Sequence, residues 1–396
     1  MRYCIIISLL LFLILIGLFS CEPKHRESVD ISAIPMVRFN ELQSLAYHDG
    51  PIVERKDDSY KVHYVKRDEQ LELDHIVKSL KSTDPEVDVF LRGSYEFSVP
   101  LRASEDIDRS CYQGIDTVFV TSDMEGNYGA FKSLLQANGV IDVQKKWQYG
   151  DNHLVLVGDM VDRGDEVLQV LWLIYKLEQE AKEAGGRVHY IIGNHEQMNL
   201  WGKYDRTYLN YVHSSYSHTA NAIDIPYAKW IDSESFLGNW IAHKNALVRI
   251  DSKLYVHGGI YPSISKLKIH LDEMNDVIRS AISKNPAYLD RTEATLSSQN
   301  GPLWYRGMAE RELSKNQVKK ILERLNTEKV IVGHTIVDPE HISLLYDDQI
   351  IAIDMHHSEL YKKSNVRGLL ITDIGYYEVD NESKSHLLML HEPIEL

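Results

Sequence analysis

Acidic, amide and imidazole side chains recur in five short segments of this 396-residue chain. The segments are, in order, Asp123-Met124-Glu125-Gly126-Asn127, Gly158-Asp159-Met160-Val161-Asp162-Arg163-Gly164, Gly193-Asn194-His195-Glu196, His257-Gly258-Gly259 and Gly333-His334. Carboxylate and amide oxygens combined with imidazole nitrogens are suitable ligands for two neighbouring divalent metal ions. Such a pair of ions lowers the pKa of a bridging water and neutralises the oxygens of a phosphate ester. The residue types therefore predict metal-assisted hydrolysis of an anionic ester.

Each segment alone is weak evidence for a functional site. A single Asp after a strand is more often a cap or turn residue, and a single His is more often a satisfied core residue. The Asp-Arg-Gly at 162–164 could form only a salt bridge and a turn. Five such segments in a fixed order are stronger evidence, because unrelated cap, turn and core residues rarely occur together in one such order.

Short apolar runs precede these segments and predict buried strands that end where the polar residues begin. Polar residues just past strand ends are where α/β sheets build active sites. The predicted strands are Thr117–Thr121, His153–Val157, Arg187–Ile192, Lys253–Val256, Lys329–Val332 and Ile350–Ile353.

Helical patterns lie between some of these strands. We predict helices at Tyr128–Ala137, at Glu166–Ala184 with Gly185-Gly186 as a stop signal, and at Ser314–Leu325 with Ser314 as the N-cap. Strands that alternate with helices indicate an α/β sandwich that carries its helices outside and its ligand loops at one edge.

The order and residue types of the five segments resemble the motifs of the calcineurin-like metallophosphoesterases, in particular those of their phosphoprotein phosphatase branch. That branch has the motifs Gly-Asp-x-His-Gly, Gly-Asp-x-x-Asp-Arg-Gly, Gly-Asn-His-Glu, His-Gly-Gly and a late His. The stretch from Gly301 to Gly307 is similar to the bacterial Shewanella-like subgroup. The resemblance covers about 115–375 and implies a four-layer α/β/β/α sandwich. It also implies a two-metal phosphoesterase that hydrolyses phosphomonoesters through a metal-bound hydroxide, with phosphoproteins as one candidate substrate.

The resemblance assigns a role to each matching position. Its motifs imply that Asp159 bridges two divalent metal ions. The full set of implied metal ligands is Asp123, Glu125, Asp159, Asn194, His257 and His334.

The resemblance also implies an acid and a phosphate clamp. His195 would protonate the leaving oxygen, with Asp162 orienting its imidazole. Arg163 would grip the phosphate oxygens, with Arg306 as a second clamp, and Glu196 would support the loop.

Two departures from the family pattern affect the first metal. Glu125 stands where the branch has His, and Ile336 stands where many members of the wider superfamily have a second late His. The remaining ligands are all oxygen, so we expect Mn or Fe, with Mg and Zn as alternatives. Three interpretations of Glu125 stay open: a working ligand, a decayed site, or a side chain that pairs with a neighbouring cation. The rival function is a catalytically weakened scaffold or binding protein, and a phosphodiesterase is a further alternative.

The N-terminal residues predict export. Arg2 precedes an apolar run from Ile5 to Phe19, which is short for a spanning helix. The run ends in Leu18-Phe19-Ser20-Cys21, which resembles a bacterial lipobox, so 1–21 is predicted to be a signal peptide with a lipidated Cys21. The alternative is an uncleaved anchor. Either way we expect a membrane-anchored protein of the cell envelope, and the net charge of −15 argues against a nucleic-acid partner.

The remaining sequence suggests further divisions. We expect a tether at 22–49, with Asp49-Gly50-Pro51 as a turn, and a small N-terminal addition at 50–115 that contains a strand at Lys61–Lys66. The catalytic domain is expected at 116–380 and a C-terminal strand and tail at 381–396. A Tyr-rich insertion at 197–244 forms either a lid and substrate wall or a separate helical subdomain.

Overall fold

The computed structural model describes residues 48–56, 59–67, 73–81, 85–102, 106–202, 223–355, 357 and 366–391. These residues belong to a compact unit that spans Ser44–Leu396. Within them, no helix combines the length and apolar character that crossing a membrane requires. The predicted signal peptide and Cys21 lie outside the described residues. Lipidation of Cys21 therefore stays a prediction, which lipid labelling of the wild type and of Cys21→Ala would check.

The described chain contains short strands and helices in alternation. Before residue 106 the strands are β1 (His48–Lys56), β2 (Ser59–Arg67), β3 (Leu73–Lys81), β4 (Glu86–Leu91) and β5 (Ser94–Pro100). The later strands are β6 (Cys111–Tyr112), β7 (Val118–Thr121), β8 (His153–Val157), β9 (Arg187–Ile191), β10 (Leu247–Ile250), β11 (Lys253–Val256), β12 (Lys329–Val332), β13 (Ser343–Leu345), β14 (Ile350–Ala352), β15 (Arg367–Ile371), β16 (Gly375–Asp380) and β17 (Ser385–Leu390). The α-helices are α1 (Tyr128–Ala137), α2 (Val167–Ala184), α3 (Asn194–Leu200), α4 (Phe236–Ala242), α5 (Leu271–Ile282), α6 (Arg291–Leu296) and α7 (Lys315–Leu325).

Two six-stranded sheets form the centre of the fold. Their strand orders are β17-β16-β15-β7-β8-β9 and β13-β14-β12-β11-β10-β6. In the first sheet β7, β8 and β9 are parallel neighbours, and in the second sheet β11, β12 and β14 are parallel neighbours. Each sheet therefore presents three consecutive carboxyl ends, which is where ligand sites form in parallel sheets.

The central strands are buried on both faces, which explains why their sequences do not alternate between apolar and polar residues. Val118 and Val120 of β7 share one buried cluster with Ile331 and Ile351 of the other sheet. Phe119, between the two valines, belongs instead to the larger cluster that includes the helices. One side of each strand thus packs sheet against sheet, and the other side packs sheet against helix.

The helices cover the outer faces and confirm the predicted α/β/β/α sandwich. α2 packs against β9 and α1, while α5 packs against β10. Local signals set the helix ends. Ser314 caps α7 by accepting the Gln317 N–H, and α2 stops at Gly185, whose φ of 90° is left-handed. The six predicted strands and three predicted helices all occur, within one residue of the expected bounds.

Helix α2 is enclosed on two sides. Its residues 167–177 are all buried, as expected of a helix that is apolar all round. The N-terminal strands β1 and β4 also pack on it. Trp172 donates through Nε1 to the Pro51 carbonyl at 2.9 Å, and Gln169 donates to the Phe90 carbonyl at 2.8 Å. The N-terminal addition therefore covers the first helical layer.

One predicted turn is wrong. Asp49-Gly50-Pro51 lies inside β1, where the register against β2 shifts between Asp49 and Ile52. Proline has no N–H for the ladder, so an irregular pairing accommodates it within the strand. The predicted tether 22–49 lies outside the described residues except for His48 and Asp49, which begin β1. The domain boundaries stay predictions, although β2 and β17 supply the strands expected in 50–115 and 381–396.

Candidate active site and metal centre

The predicted site residues, except Arg306, follow the carboxyl ends of β7, β8, β9, β11 and β12. Backbone hydrogen bonds join the loops of neighbouring strands. The Asp123 N–H donates to the Gly158 carbonyl at 3.0 Å, and the Gly333 N–H donates to the His257 carbonyl at 2.9 Å. Parallel strands therefore bring residues that are distant in sequence to one edge, as the sequence predicts.

Left-handed backbone recurs in these loops. Such conformations cost a non-glycine residue about 1 kcal/mol or more, and they persist where the surroundings enforce them. Each one turns the chain sharply, so that a side chain directly after a strand points along the sheet edge. The site residues with positive φ are Asp123 (52°), Glu125 (46°), Asp159 (52°), Asp162 (69°), Arg163 (54°) and His334 (64°).

Two glycines allow the loops to approach each other. A Cβ atom on Gly193 would overlap the carboxylate of Asp159, and a Cβ atom on Gly158 would lie 2.6 Å from Nδ1 of His257. Gly158 also has a φ of 84°, in the left-handed region. Glycine at these positions thus gives the ligating side chains the space they occupy.

Asp159, His257 and His334 form a compact cluster, in which one candidate ligand atom from each lies within 4.8 Å of the others. All three residues are buried. His257 Nε2 lies 3.1 Å from Oδ2 of Asp159 and 3.0 Å from Oδ1 of Asn194. Four of the six predicted metal ligands therefore meet at one point.

The donor chemistry of this cluster fits a metal cation. His257 Nδ1 lies 2.7 Å from the Val157 carbonyl, which can only accept, so Nδ1 carries a proton. Nε2 then faces two oxygens, from Asp159 and Asn194. Burial opposes a charged ring, but the Asp159 and Asp123 carboxylates raise the pKa of His257 to about 10 in the metal-free protein. A position that holds a proton between a carboxylate and an amide oxygen is one that a divalent cation can take.

His334 is prepared as a neutral ligand. Its Nε2 donates to the Trp304 carbonyl at 3.0 Å, which leaves Nδ1 as the nitrogen with a lone pair. Burial, together with the nearby His257, holds its pKa well below the ordinary histidine value. Its backbone N–H donates to Oδ2 of Asp123 at 3.1 Å. The hydrogen bond from Nε2 to the Trp304 carbonyl fixes the ring's tautomer, as partners of metal-ligating histidines commonly do.

The other two predicted ligands make different contacts. Asp123 accepts hydrogen bonds from the Ser122 hydroxyl and the His334 N–H. Burial, with Asp159 nearby, raises the pKa of Asp123 to about 6. Glu125 is buried and forms an ion pair with the Arg163 guanidinium. This contact supports the interpretation in which Glu125 pairs with a neighbouring cation.

His195 and Asp162 form the predicted pair beside the cluster. His195 Nδ1 lies 2.7 Å from Oδ2 of Asp162, and its Nε2 lies 3.8 Å from Oδ2 of Asp159. Its backbone N–H donates to Oδ1 of Asp159 at 3.0 Å. Burial alone would lower the pKa of His195, but the two carboxylates raise it above its ordinary value. The ring is therefore held in place and kept able to carry a proton.

Asp159 stays ionised at the centre of the site. Burial alone would raise its pKa, but the His257 and His195 imidazoles hold that pKa well below its usual range. Glu196 accepts the backbone N–H groups of Asp159, Met160 and Gly193 at 3.0, 2.9 and 2.6 Å. Glu196 thus supports the loop, as expected.

The two arginines that are predicted to bind the phosphate lie at the rim of the site, and each already contacts protein groups. Arg163 contacts Glu125 while its side chain is about one-third exposed, at 35%. Arg306 is exposed and donates to the His334 carbonyl and, at 3.1 Å, to the Thr335 hydroxyl. Each guanidinium has five N–H donors, so both can donate hydrogen bonds to further partners.

Sequence reasoning missed Asp354 and Tyr227 as site residues. Asp354 follows β14 and is buried, and its pKa is raised well above the usual value by burial and by nearby Asp123. Its place after an apolar strand was the signal that could have found it. Tyr227 donates to Asp162 at 3.2 Å from within the insertion, and no spacing rule indicates that contact.

The insertion is described at 197–202 and 223–244. Tyr227 contacts the site, whereas Trp230 and Trp240 are buried in the core. The described aromatic side chains of 223–244 therefore pack as core, Tyr227 included, and the lid or substrate-wall interpretation stays a prediction. The tyrosines from 204 to 216 lie outside the described residues.

Comparisons with known proteins agree with this geometry. Residues 117–338 match the family described as "Calcineurin-like phosphoesterase". Shewanella-like protein phosphatase 1 of Plasmodium berghei is 27% identical over 266 residues, which cover 63% of this chain and 70% of that protein. Two solved structures of a cold-active protein tyrosine phosphatase, one specified as from a psychrophilic Shewanella species, are similar at 30% and 29% identity. Their TM-scores are 0.77 and 0.76, and the matches cover 87% and 86% of this chain and 98% and 99% of theirs.

The α/β/β/α sandwich and the cluster at its strand ends are those of a phosphoesterase that uses divalent metal ions. The chain belongs to the calcineurin-like phosphoesterase family. The resemblance, the fold class and the enzyme class that the sequence predicts are thereby confirmed.

Proposed function

We propose that this enzyme hydrolyses phosphomonoesters in a reaction that requires two divalent metal ions. The observation that carries the proposal is the adjacency of the Asp159–His257–His334 cluster to His195, whose Nε2 lies 3.8 Å from Asp159. The cluster can bind a cation, and the histidine can supply a proton. An intact pair of His195 and Asp162 also favours catalysis over the scaffold alternative.

The residues present fit the metals that the family implies. His257, His334, Asn194 and Asp159 would hold one ion, and Asp159 and Asp123 would contribute to the other. When bound, the ions would supply an activated water and neutralise charge on the phosphate oxygens. Because the Asp123 side offers only oxygen ligands, we propose Mn or Fe there before Mg or Zn.

The protein's own groups would bind and protonate the ester. His195 donates from Nδ1 to Asp162, which leaves its Nε2 proton available for the leaving oxygen. Arg163 would bind the phosphate oxygens, and this requires its guanidinium to be shared with, or released from, Glu125. The Plasmodium berghei relative is named as a protein phosphatase, and the two similar structures are named as protein tyrosine phosphatases. We therefore propose phosphoproteins as a substrate class.

A leaving-group comparison tests this function. Metal-free protein, reconstituted with Mn²⁺, would be assayed with phosphopeptides, nucleotides and sugar phosphates, and then with nitrophenyl and alkyl phosphates. We expect His195→Asn to retain both metals and to lose about a hundredfold or more in kcat, in the range of general acid removal. The loss should be smaller for nitrophenyl phosphate, whose leaving group needs less protonation.

The matched control is His341→Asn, because His341 is also paired with a carboxylate, Glu378, at 2.9 Å. We expect its activity to stay close to that of the wild type. An equal loss for good and poor leaving groups in His195→Asn would remove His195 from the acid role. No turnover of any phosphomonoester by the metal-loaded wild type would overturn the proposed reaction.

A further inference from the structure

Asp162 is surrounded by side-chain donors. His195 Nδ1 lies 2.7 Å from Oδ2, and Tyr227 donates from its hydroxyl to Oδ1 at 3.2 Å. Asn199 Nδ2 lies 3.1 Å from each oxygen. The Asp162 side chain is fully enclosed, and Tyr227 is buried as well. The carboxylate orientation is therefore set by these partners rather than by solvent.

Tyr227 gives Oδ1 a hydroxyl donor in addition to the Asn199 amide. The Asn199 amide has two hydrogens but lies within hydrogen-bond distance of three acceptors, namely both Asp162 oxygens and the His195 carbonyl at 2.8 Å. The His195 ring contacts Oδ2, and Oδ1 accepts the hydrogen bond of the Tyr227 hydroxyl. Without it, the carboxylate could rotate and shift the His195 ring that it holds.

The segment that carries Tyr227 is held by local contacts. Tyr227–Trp230 forms a 3₁₀ helix that follows Pro226, and the Tyr227 and Trp230 rings pack at 5.4 Å. Trp230 also donates through Nε1 to the Ile225 carbonyl at 3.0 Å. The backbone around Tyr227 is thus held by its own side chains.

The N-terminal strands brace the same insertion. β1 contacts the 3₁₀ helix and α4. Arg55 donates to Asn239 of α4 at 2.8 Å, and the Tyr60 ring packs on Phe236 at 5.7 Å. A continuous set of packed residues therefore leads from β1 and β2, through the insertion, to Asp162.

We infer that Tyr227 is a positioning residue, which acts through Asp162 to keep the His195 ring aligned for proton donation. The inference rests on the proposed function, because it assumes that His195 is the acid. It also assigns a role to this part of the insertion, which is a fixed support for the acid. The N-terminal strands would then contribute to catalysis without contacting substrate.

Tyr227→Phe tests the inference, since it removes the hydroxyl and keeps the ring. We expect kcat for an alkyl phosphate or a phosphoserine peptide to fall about tenfold, with KM within about twofold, as misalignment of a catalytic group predicts. The loss with nitrophenyl phosphate should be markedly smaller, and metal content should not change. The matched control is Tyr175→Phe, a buried tyrosine whose hydroxyl donates to the Arg102 carbonyl at 2.9 Å. It should lose stability only.

The double variant Tyr227→Phe/His195→Asn separates the possible failures. If the inference holds, adding Tyr227→Phe to His195→Asn costs no further activity, because the group being aligned is gone. Equal losses for both leaving groups, or a profile identical to Tyr175→Phe, would overturn the role of Tyr227 while leaving that of His195 intact. If His195→Asn alone shows no leaving-group dependence, the proposed role of His195 as the acid is wrong, and this result is distinct from a failure of the role of Tyr227.

Discussion

The two halves of the candidate metal centre are built differently. On one side His257, His334 and Asn194 gather around Asp159, and the two imidazoles are oriented by the backbone carbonyls of Val157 and Trp304. On the other side Asp123 is engaged with Ser122 and the His334 N–H, and Glu125 is paired with Arg163. One half is held by backbone groups, and the other by interactions that a bound ion or substrate would have to share.

The difference coincides with the departure from the family pattern. The half that keeps the family's residue types is assembled in the metal-free protein. The half that has Glu125 in place of His is not, since a carboxylate beside a guanidinium forms an ion pair more readily than an imidazole would. The comparison indicates that the two ions would bind with unequal affinity.

The largest effect is expected from Asp159→Asn, because both halves share this carboxylate. The amide keeps an oxygen for the His195 N–H but loses the negative charge that two cations require. We expect metal content near zero and a loss of at least about a thousandfold in kcat, equivalent to about 4 kcal/mol of barrier. Metal analysis and steady-state kinetics would measure both, with thermal unfolding as the check on folding. Retention of two tightly bound metals would show that Asp159 does not bridge.

Substitutions of Glu125 test the weaker half. If its main partner is Arg163, Glu125→Ala should leave metal content nearly unchanged and lower KM about fivefold at most, as release of a partly exposed ion pair predicts. Glu125→Gln serves as the matched variant, because it keeps the shape and removes the charge. Glu125→His should restore the family ligand and shift the first ion's preference toward Zn²⁺. A strong loss of metal in Glu125→Ala would instead show that this carboxylate moves to the ion.

The smallest expected effect is the number of protons that the protein releases when it binds metal. His257 has a pKa of about 10 in the metal-free protein, so it is protonated at pH 7 and must lose that proton to ligate. Metal uptake at pH 7 should release about one proton from the half that contains His257. This release should disappear only above about pH 10. Asp123, with a pKa of about 6, should add to the release only as the pH falls through 6. Calorimetric titrations in buffers of different ionisation enthalpy would measure this. Absence of release at pH 7 would contradict the assigned state of His257.

The strands and the clustering of the candidate ligands at their ends could be predicted because both follow local rules. Double-sided burial produces apolar runs such as His153–Val157, and a parallel strand must end where its ligand loop begins. The motif around Asp159 therefore indicated both where β8 ends and a candidate site residue. Cap signals, such as Ser314 and Gly185, similarly depend on neighbours in sequence.

Other features depend on contacts that sequence spacing does not encode. Glu125 and Arg163 are 38 positions apart, and their pairing depends on where two left-handed turns direct the side chains. Tyr227 lies 65 positions from Asp162, and the 3₁₀ helix that carries it packs against strand β1, which comes from a different part of the chain. Pro51 suggested a turn, although the partner strand makes it part of β1.

The enclosed helix α2 has a consequence for how the fold can be divided. The family match spans 117–338, yet α2 within it is covered by β1 and β4, which precede that range. Strand β15, which pairs with β7, follows it. A chain cut to the matched range would expose Trp172 and the open edge of β7, both of which favour self-association. We therefore expect the smallest piece of this protein that folds independently to be longer than the range that matches the family, because it must include the flanking strands.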